Sequence, residues 1–148
     1  MKLNLYLISL TAVLLCITSC EEEKAKTIYL IPDGFEGEVV IVYAVSNSNS
    51  AKLENGARVV EIGTSGKVKS KHKTSVGVAD DSYYMVSSNG ARKKILFDHE
   101  TNDPEAFCIS GNITSSITID DEQHHVEAFL VIKKKDVESY RGHQFDLK

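Results

Sequence analysis

The fold class follows from residues 107–132, FCISGNITSSITIDDEQHHVEAFLVI. Within them, residues 113–119 place three isoleucines at one parity and threonine or serine at the other. Successive side chains of a strand point to opposite faces, so this alternation predicts a half-buried strand. Residues 126–132 repeat the alternation, whereas Ser-Gly-Asn at 110–112 and the polar residues 120–125 predict turns between strands.

Five further segments combine β-branched or aromatic residues with turn residues at their ends, which is typical of strands. They are residues 27–31, 39–45, 58–62, 82–86 and 92–97. Residues 39–45 are apolar at both parities, which predicts a central strand covered on both faces. The dipeptide Asn89-Gly90 lies between the last two segments and is a strong hairpin signal.

About eight short strands separated by turns predict a mainly β domain, an antiparallel β-sandwich or barrel-like fold. No ten-residue amphipathic helix separates the strands, which disfavours alternating β-α-β units. At most one short C-terminal helix is predicted, over Asp136–Arg141, with Asp136 as its N-cap. The alternative is an α+β fold that includes this helix.

Composition and charge limit the classes of function. The chain has 148 residues, a formal net charge of −4 and 26% charged residues, as expected for one globular domain. An acidic protein has no general electrostatic attraction for nucleic acid, so no nucleic-acid partner is expected. Three cysteines are too few for a four-cysteine zinc site. Cys108, which lies between apolar residues, is interpreted as a buried core thiol.

The N-terminal residues have the pattern of a secretory signal peptide. Met1-Lys2 gives a short positive start, and Leu3–Ile17 is a mostly apolar run of 15 residues. A helix needs about 20 apolar residues to cross a bilayer. The run is too short for a membrane span but fits the apolar region of a signal peptide.

This run ends in Ile17-Thr18-Ser19-Cys20, which resembles the lipobox of bacterial lipoproteins: an aliphatic residue, two small residues and a cysteine. The resemblance implies that residues 1–19 are a lipoprotein signal peptide and that Cys20 becomes the first mature residue. It further implies that the Cys20 thiol carries diacylglyceryl lipid and its amine a fatty acid such as palmitate. The partner is then a lipid bilayer. The alternative is a plain secretory signal in which Cys20 is incidental.

Residues 20–26 are interpreted as the lipidated cysteine followed by an acidic tether. Glu21-Glu22-Glu23 places three carboxylates side by side, and such a run repels itself and resists burial. An acidic stretch behind a lipidated cysteine resembles a signal by which certain Gram-negative bacteria export lipoproteins to the cell surface. That resemblance implies the outer membrane and surface display, and a solvated spacer is the alternative. Residues 27–148 form the predicted single β-rich domain.

A second resemblance lies at the start of this domain. Residues 29–40, YLIPDGFEGEVV, followed by residues 54–58, ENGAR, are similar to an uncharacterised domain family of bacterial lipoproteins and exported proteins. That family has an Ile-Pro-x-Gly-aromatic-x-Gly motif, then an apolar strand and an Asn-Gly turn. The similarity is limited to the part of the domain before Gly63, and it implies a location in the envelope without implying an activity.

Three histidines are candidates for acid–base or metal chemistry because carboxylates lie beside them. His99 stands between Asp98 and Glu100, and His124 and His125 follow an acidic segment. Imidazole next to carboxylate can form an acid–base pair or a metal site. Adjacent residues of a strand face opposite sides, however, so His124 and His125 are not expected to hold one ion together. The sequence therefore predicts no catalytic, cofactor or metal site.

A basic run, residues 67–73 (KVKSKHK), contrasts with the acidic chain. Alternating lysines are typical of an exposed edge strand, where they discourage pairing with other chains. The alternative is contact with a phosphorylated glycolipid or another anion. Residues 67–73 and the polar loop Ser46–Glu54 are the candidate contact surfaces of a binding module.

Two functional hypotheses follow. The favoured one is a membrane-anchored cell-envelope lipoprotein that acts as a binding or structural module for an envelope protein, glycan or glycolipid, and not as an enzyme. The alternative is a small envelope hydrolase or metal-dependent enzyme that uses His99, His124 or His125 with nearby carboxylates. The alternative requires these groups to meet in one concave pocket.

Overall fold

The structure, a computed structural model, describes residues 26–48, 52–73 and 80–147. Its strands are β1 (Thr27–Pro32), β2 (Gly37–Val42), β3 (Lys52–Glu54), β4 (Ala57–Glu61), β5 (Lys67–Lys69), β6 (Ser82–Val86), β7 (Arg92–Phe97), β8 (Phe107–Ile119) and β9 (Glu122–Lys133). A short 3-10 helix spans Asp98–Glu100 and a C-terminal one spans Lys134–Tyr140. The predicted mainly β fold class is confirmed.

The nine strands form one sheet in the order β3-β4-β1-β6-β7-β8-β9-β2-β5. Four of the eight pairings are antiparallel. The other four are parallel and join β1 to β4 and β6, β2 to β5, and β7 to β8. Hairpins generate antiparallel pairs, whereas parallel pairs need longer crossover connections that carry no turn signal. The sheet is therefore mixed, and the expected antiparallel pairing holds for half of it.

The sheet curls so that its two halves enclose one core. The Tyr29 ring of β1 stacks on Tyr83 of β6 at 4.8 Å between centroids. It also meets Phe129 of β9 edge-on at 5.5 Å. β1 and β9 lie four places apart in the sheet order, so a contact between them requires the sheet to fold over. This arrangement agrees with the predicted sandwich or barrel-like shape.

β2 is covered on both faces, as its sequence predicted. Val39 and Ile41 lie in the inner core, while Val40 and Val42 pack on the outer face with apolar residues of β9. The C-terminal segment, residues 141–147, covers this outer face through two large side chains, Phe145 and Leu147. Fully burying an aliphatic side chain contributes about 1.5–3 kcal/mol, which explains why polar residues are absent from residues 39–42.

The predicted turn at residues 110–112 is wrong. β8 runs without a break through these residues, and its register with β9 shifts between Ser110 and Ile113. Gly111 has a φ of 64°, a conformation that glycine adopts without steric cost. A glycine with positive φ at a register shift marks a β-bulge. The Ser-Gly-Asn sequence therefore bends one strand and does not separate two.

The turn between β8 and β9 is shorter than predicted. Only Asp120 and Asp121 form it, with positive φ values of 51° and 63°. Two consecutive positive φ values are typical of a tight two-residue hairpin turn. The predicted histidine positions thus belong to β9 and not to the turn.

The C-terminal helix begins earlier than predicted. Lys133 is its N-cap, so Asp136 lies within the first turn and is not the cap. The backbone N–H groups of Lys134 and Lys135 donate to the carbonyls of Ala106 and Pro104, which fixes the chain directly after β9. Within the three described ranges, no helix is long and apolar enough to cross a membrane. Cys20, the predicted signal peptide and nearly all of the predicted tether lie outside these ranges.

Candidate functional site

His99 lies on the surface and packs against an aromatic ring. Its imidazole stacks on Phe97 with 5.7 Å between ring centroids. Its Nδ1 atom is 3.5 Å from a carboxylate oxygen of Asp98. The Asp98 side chain in turn accepts a 2.6 Å hydrogen bond from the Ser110 hydroxyl, which lowers the pKa of that carboxyl group. His99 is thus held at the start of the loop to β8 and does not line an enclosed site.

His124 and His125 occupy adjacent positions of β9 and therefore face opposite sides of it, as predicted. His124 is buried, with its Nδ1 atom 3.1 Å from the carbonyl oxygen of Tyr43. The half-buried His125 has its ring centroid 6.2 Å from the Tyr43 ring. Both histidines serve as packing and hydrogen-bonding residues of the sheet.

The three histidines do not converge. Phe97, next to His99, is in register with Ile109 of β8, whereas His124 is in register with Ile117. Ile109 and Ile117 lie eight positions apart along β8, which corresponds to about 25 Å. Across the described ranges, no group of three or more histidine, cysteine or acidic side chains is arranged to hold a metal ion. The hydrolase hypothesis therefore lacks the common pocket that it requires.

Cys108 is a core thiol, as predicted. Its side chain is fully buried, and its sulfur lies 3.5 Å from the carbonyl oxygen of Ile132. Burial raises the pKa of the thiol, so the reactive thiolate form is disfavoured.

The core contains an acidic group that the sequence did not reveal, the carboxylate of Glu127, which is one of the buried polar residues. Its side chain accepts hydrogen bonds from the hydroxyls of Tyr29 at 2.7 Å and Tyr43 at 2.9 Å. The two hydroxyls lie 3.2 Å apart. Glu127 shares its parity with Phe129 and Val131, and an acidic residue on the inward parity of a buried strand is the signal that could have revealed it.

Burial raises the pKa of both tyrosines well above the ordinary value, and the charge of Glu127 raises it further. Tyr29 and Tyr43 are therefore neutral donors at physiological pH. The network joins β1 and the residue after β2 to β9. Its geometry supports a structural role, because Glu127 is only 7% exposed and its carboxylate accepts hydrogen bonds from two buried hydroxyls.

Residues 67–73, which we call the lysine edge, begin with the last strand of the sheet. β5 pairs in parallel with β2 on one side. Lys67 and Lys69 are exposed, while Val68 between them packs against the inner core. The predicted lysine-bearing edge strand is confirmed.

The far end of the lysine edge lies where the chain enters β1. The Lys73 carbonyl accepts a 2.8 Å hydrogen bond from the Arg58 guanidinium. The backbone N–H of Arg58 donates to the Lys26 carbonyl at 2.9 Å, directly before β1. Lys69 and Lys71 are exposed and form no ion pair with any residue that the structure describes.

The second candidate contact surface, Ser46–Glu54, lies only partly within the described residues. Its last residue, Glu54, forms a surface ion pair with Arg92 of β7. Both of its carboxylate oxygens accept hydrogen bonds of 2.8 Å from Arg92. These bonds lower the pKa of the Glu54 carboxyl group. Glu54 therefore fastens β3 to β7 and is not a free contact group.

Comparison with known proteins identifies a sequence family and a solved structure with a similar fold. The chain is similar in structure to a protein from Bacillus anthracis named "Putative Lipoprotein", with a TM-score of 0.65 and 25% sequence identity. The similarity covers 83% of this chain and 82% of that chain. No curated protein matches the sequence. A family described only as of unknown function matches residues 23–140. Since this match spans most of the chain, the protein belongs to the family of unknown function DUF6843.

Proposed function

We propose that this protein is a lipoprotein of the cell envelope, anchored by acyl chains on Cys20, and that its β domain is a binding module. The position of Cys20 carries the proposal. Cys20 ends a lipobox-like sequence, three residues before the family match begins and seven before β1 begins. A mature lipoprotein needs this order of lipid attachment site and folded domain. The fold relative named as a lipoprotein supports the same assignment.

The anchor we propose is strong enough to hold the domain without other contacts. Each buried methylene of an acyl chain contributes about 0.8 kcal/mol, and two chains hold a protein stably where one does not. The acidic run Glu21-Glu22-Glu23 supports outer-membrane placement with display on the cell surface, which we include in the proposal.

The lysine edge is the contact surface that we propose for this module. Seven residues from Cys20 to Thr27 span at most about 25 Å, so the start of β1 stays close to the bilayer. The lysine edge ends beside that start, with Lys69 and Lys71 exposed and unpaired among the described residues. Phosphate groups of anionic lipid or glycolipid headgroups have the charge that this surface attracts.

Cys20→Ser tests the anchor. We expect the variant to incorporate no alkynyl palmitate in growing cells, whereas the wild-type protein is labelled and stays in the membrane fraction after a high-salt wash. Cys16→Ser is the matched control, since it removes a thiol four residues upstream and should leave labelling unchanged. Mass spectrometry of the wild-type N-terminal peptide should show a fatty-acid-bearing Cys20. Labelled Cys20→Ser protein, or a mature N-terminus at another residue, would contradict the proposal.

Charge reversal tests the contact surface independently of the anchor. The chain from residue 20, carrying Cys20→Ser, is mixed with phosphatidylglycerol vesicles and with phosphatidylcholine vesicles, and co-sedimentation is measured. Each surface lysine contributes about 1 kcal/mol near an anionic membrane. We therefore expect Lys69→Glu/Lys71→Glu to reduce binding to the anionic vesicles at least about tenfold. Lys93→Glu/Lys94→Glu changes the net charge equally, so an equal loss would show that binding depends on net charge and not on the lysine edge.

A further inference from the structure

The sheet opens between β7 and β8. β7 pairs with β6 along residues 92–95 but with β8 only through its last two residues. The residues just before β8 turn away, because the carbonyls of Pro104 and Ala106 accept hydrogen bonds from the segment that follows β9. Among the described strands, the first part of β7 therefore has a neighbour on one side only.

Two backbone units of β7 point into this opening. The N–H of Ser87 donates to the Ala91 carbonyl at 3.0 Å and closes the hairpin. Hydrogen-bonded and non-hydrogen-bonded pairs alternate along an antiparallel ladder. Lys93 therefore directs its backbone groups to β6, while Arg92 and Lys94 direct theirs to the open side. A strand added along this edge would find two N–H and two C=O groups.

A cavity of about 230 Å³ lies beside this edge. The side chains of Met85, Ile95 and Phe107 give it an apolar floor, and Lys93 and Lys94 stand on its rim. Extended peptides bind sheet edges through this combination, in which main-chain hydrogen bonds give affinity and an adjacent pocket takes a side chain.

The positive charges on β7 favour an acidic strand as the added partner. Lys93 and Lys94 are exposed, and neither forms an ion pair with any residue in the described ranges. As neighbours in a strand they face opposite sides, so a strand added here meets an ammonium group on each face. The one carboxylate on the rim, Asp103, already accepts a 3.0 Å hydrogen bond from the backbone N–H of Glu105.

We propose that the open edge of β7 binds an extended acidic segment of a partner protein by strand addition. Pairing of β7 with β7 of a second copy would set lysines against lysines, which is destabilising. A strand of alternating acidic and apolar residues places its acidic side chains on the face of Lys94 and an apolar side chain over Met85 and Phe107 on the other face. This site is separate from the lysine edge and does not depend on the lipid anchor.

The test uses a fluorescent hexapeptide of alternating glutamate and valine and the chain from residue 20 carrying Cys20→Ser, with binding measured by fluorescence anisotropy. Surface ion pairs contribute up to about 1 kcal/mol each, so Lys93→Glu/Lys94→Glu should weaken binding about tenfold or more. Lys69→Glu/Lys71→Glu, the matched control, should change it less than about twofold. Amide hydrogen exchange should slow at Arg92 and Lys94 when the peptide is present.

Two modified peptides separate strand addition from simple charge attraction. N-methylation of every valine blocks one edge of the peptide, and N-methylation of every glutamate blocks the other. Strand addition uses one edge, so one modified peptide should lose binding and the other should retain it. Equal binding of both would overturn the proposal, as would absence of binding to the unmodified peptide or equal losses in the two charge-reversed proteins. A peptide-independent dimer that Lys93→Glu/Lys94→Glu disrupts would also overturn it, because the occupant would then be a second copy.

Discussion

Replacing both Tyr29 and Tyr43 by phenylalanine should destabilise the domain by about 3–5 kcal/mol, a large part of the stability of a small domain. The two hydroxyls are the hydrogen-bond donors that the structure places on the Glu127 carboxylate. Removing them leaves a buried charge without a partner, whereas the phenyl rings still fill the core. Urea unfolding of the wild-type and variant proteins measures the difference.

A third substitution shows whether the destabilisation comes from the lost hydrogen bonds to Glu127 or from poorer packing of the core. Adding Glu127→Met to the double variant removes the carboxylate that has lost its hydrogen-bond donors and keeps a side chain of similar volume. Replacing a complete buried polar network by apolar groups is often neutral or stabilising, so the triple variant should recover most of the lost stability. If the triple variant is as unstable as the double variant, the cost lies in packing and the proposed role of the network is wrong.

The strands were predictable where the sequence carried a local signal. Asn89-Gly90 marks the β6–β7 hairpin, and the apolar residues 39–42 mark the doubly covered β2. The 110–112 prediction failed because Ser-Gly-Asn satisfies the backbone of a turn and that of a bulge equally well. Only pairing with β9, which lies beyond this segment in sequence, decides between them.

The candidate sites, too, could be predicted from the sequence only in part. The lysine edge was predictable because its lysines alternate along one short segment. Lys93 and Lys94 are consecutive, and their significance depends on the opening between β7 and β8, which arises because these strands pair through only two residues each. Glu127 is buried because β9 is covered on both faces, and Tyr29 and Tyr43 reach it from distant parts of the chain. Such convergence depends on topology that residue spacing does not encode.

The buried tyrosines of the core should make the domain unfold at alkaline pH. Burial raises the pKa of Tyr29, Tyr43 and Tyr83 above the ordinary value, with a further contribution from the negative charge of Glu127. In the unfolded chain tyrosines ionise near pH 10. Above that pH the unfolded state has released protons that the folded state retains, so the free energy of unfolding falls as pH rises.

Each of these tyrosines should lower the free energy of unfolding by about 1.4 kcal/mol per pH unit, which is about 4 kcal/mol per unit for the three together. We expect cooperative unfolding between about pH 10 and 12, with circular dichroism and tyrosinate absorbance changing together. Tyr83→Phe should reduce the number of protons released on unfolding by one, because this ring is buried in the core. If tyrosinate absorbance rises fully while the sheet stays folded, the three tyrosines ionise in the folded state. Burial then does not keep them protonated, and the prediction is wrong.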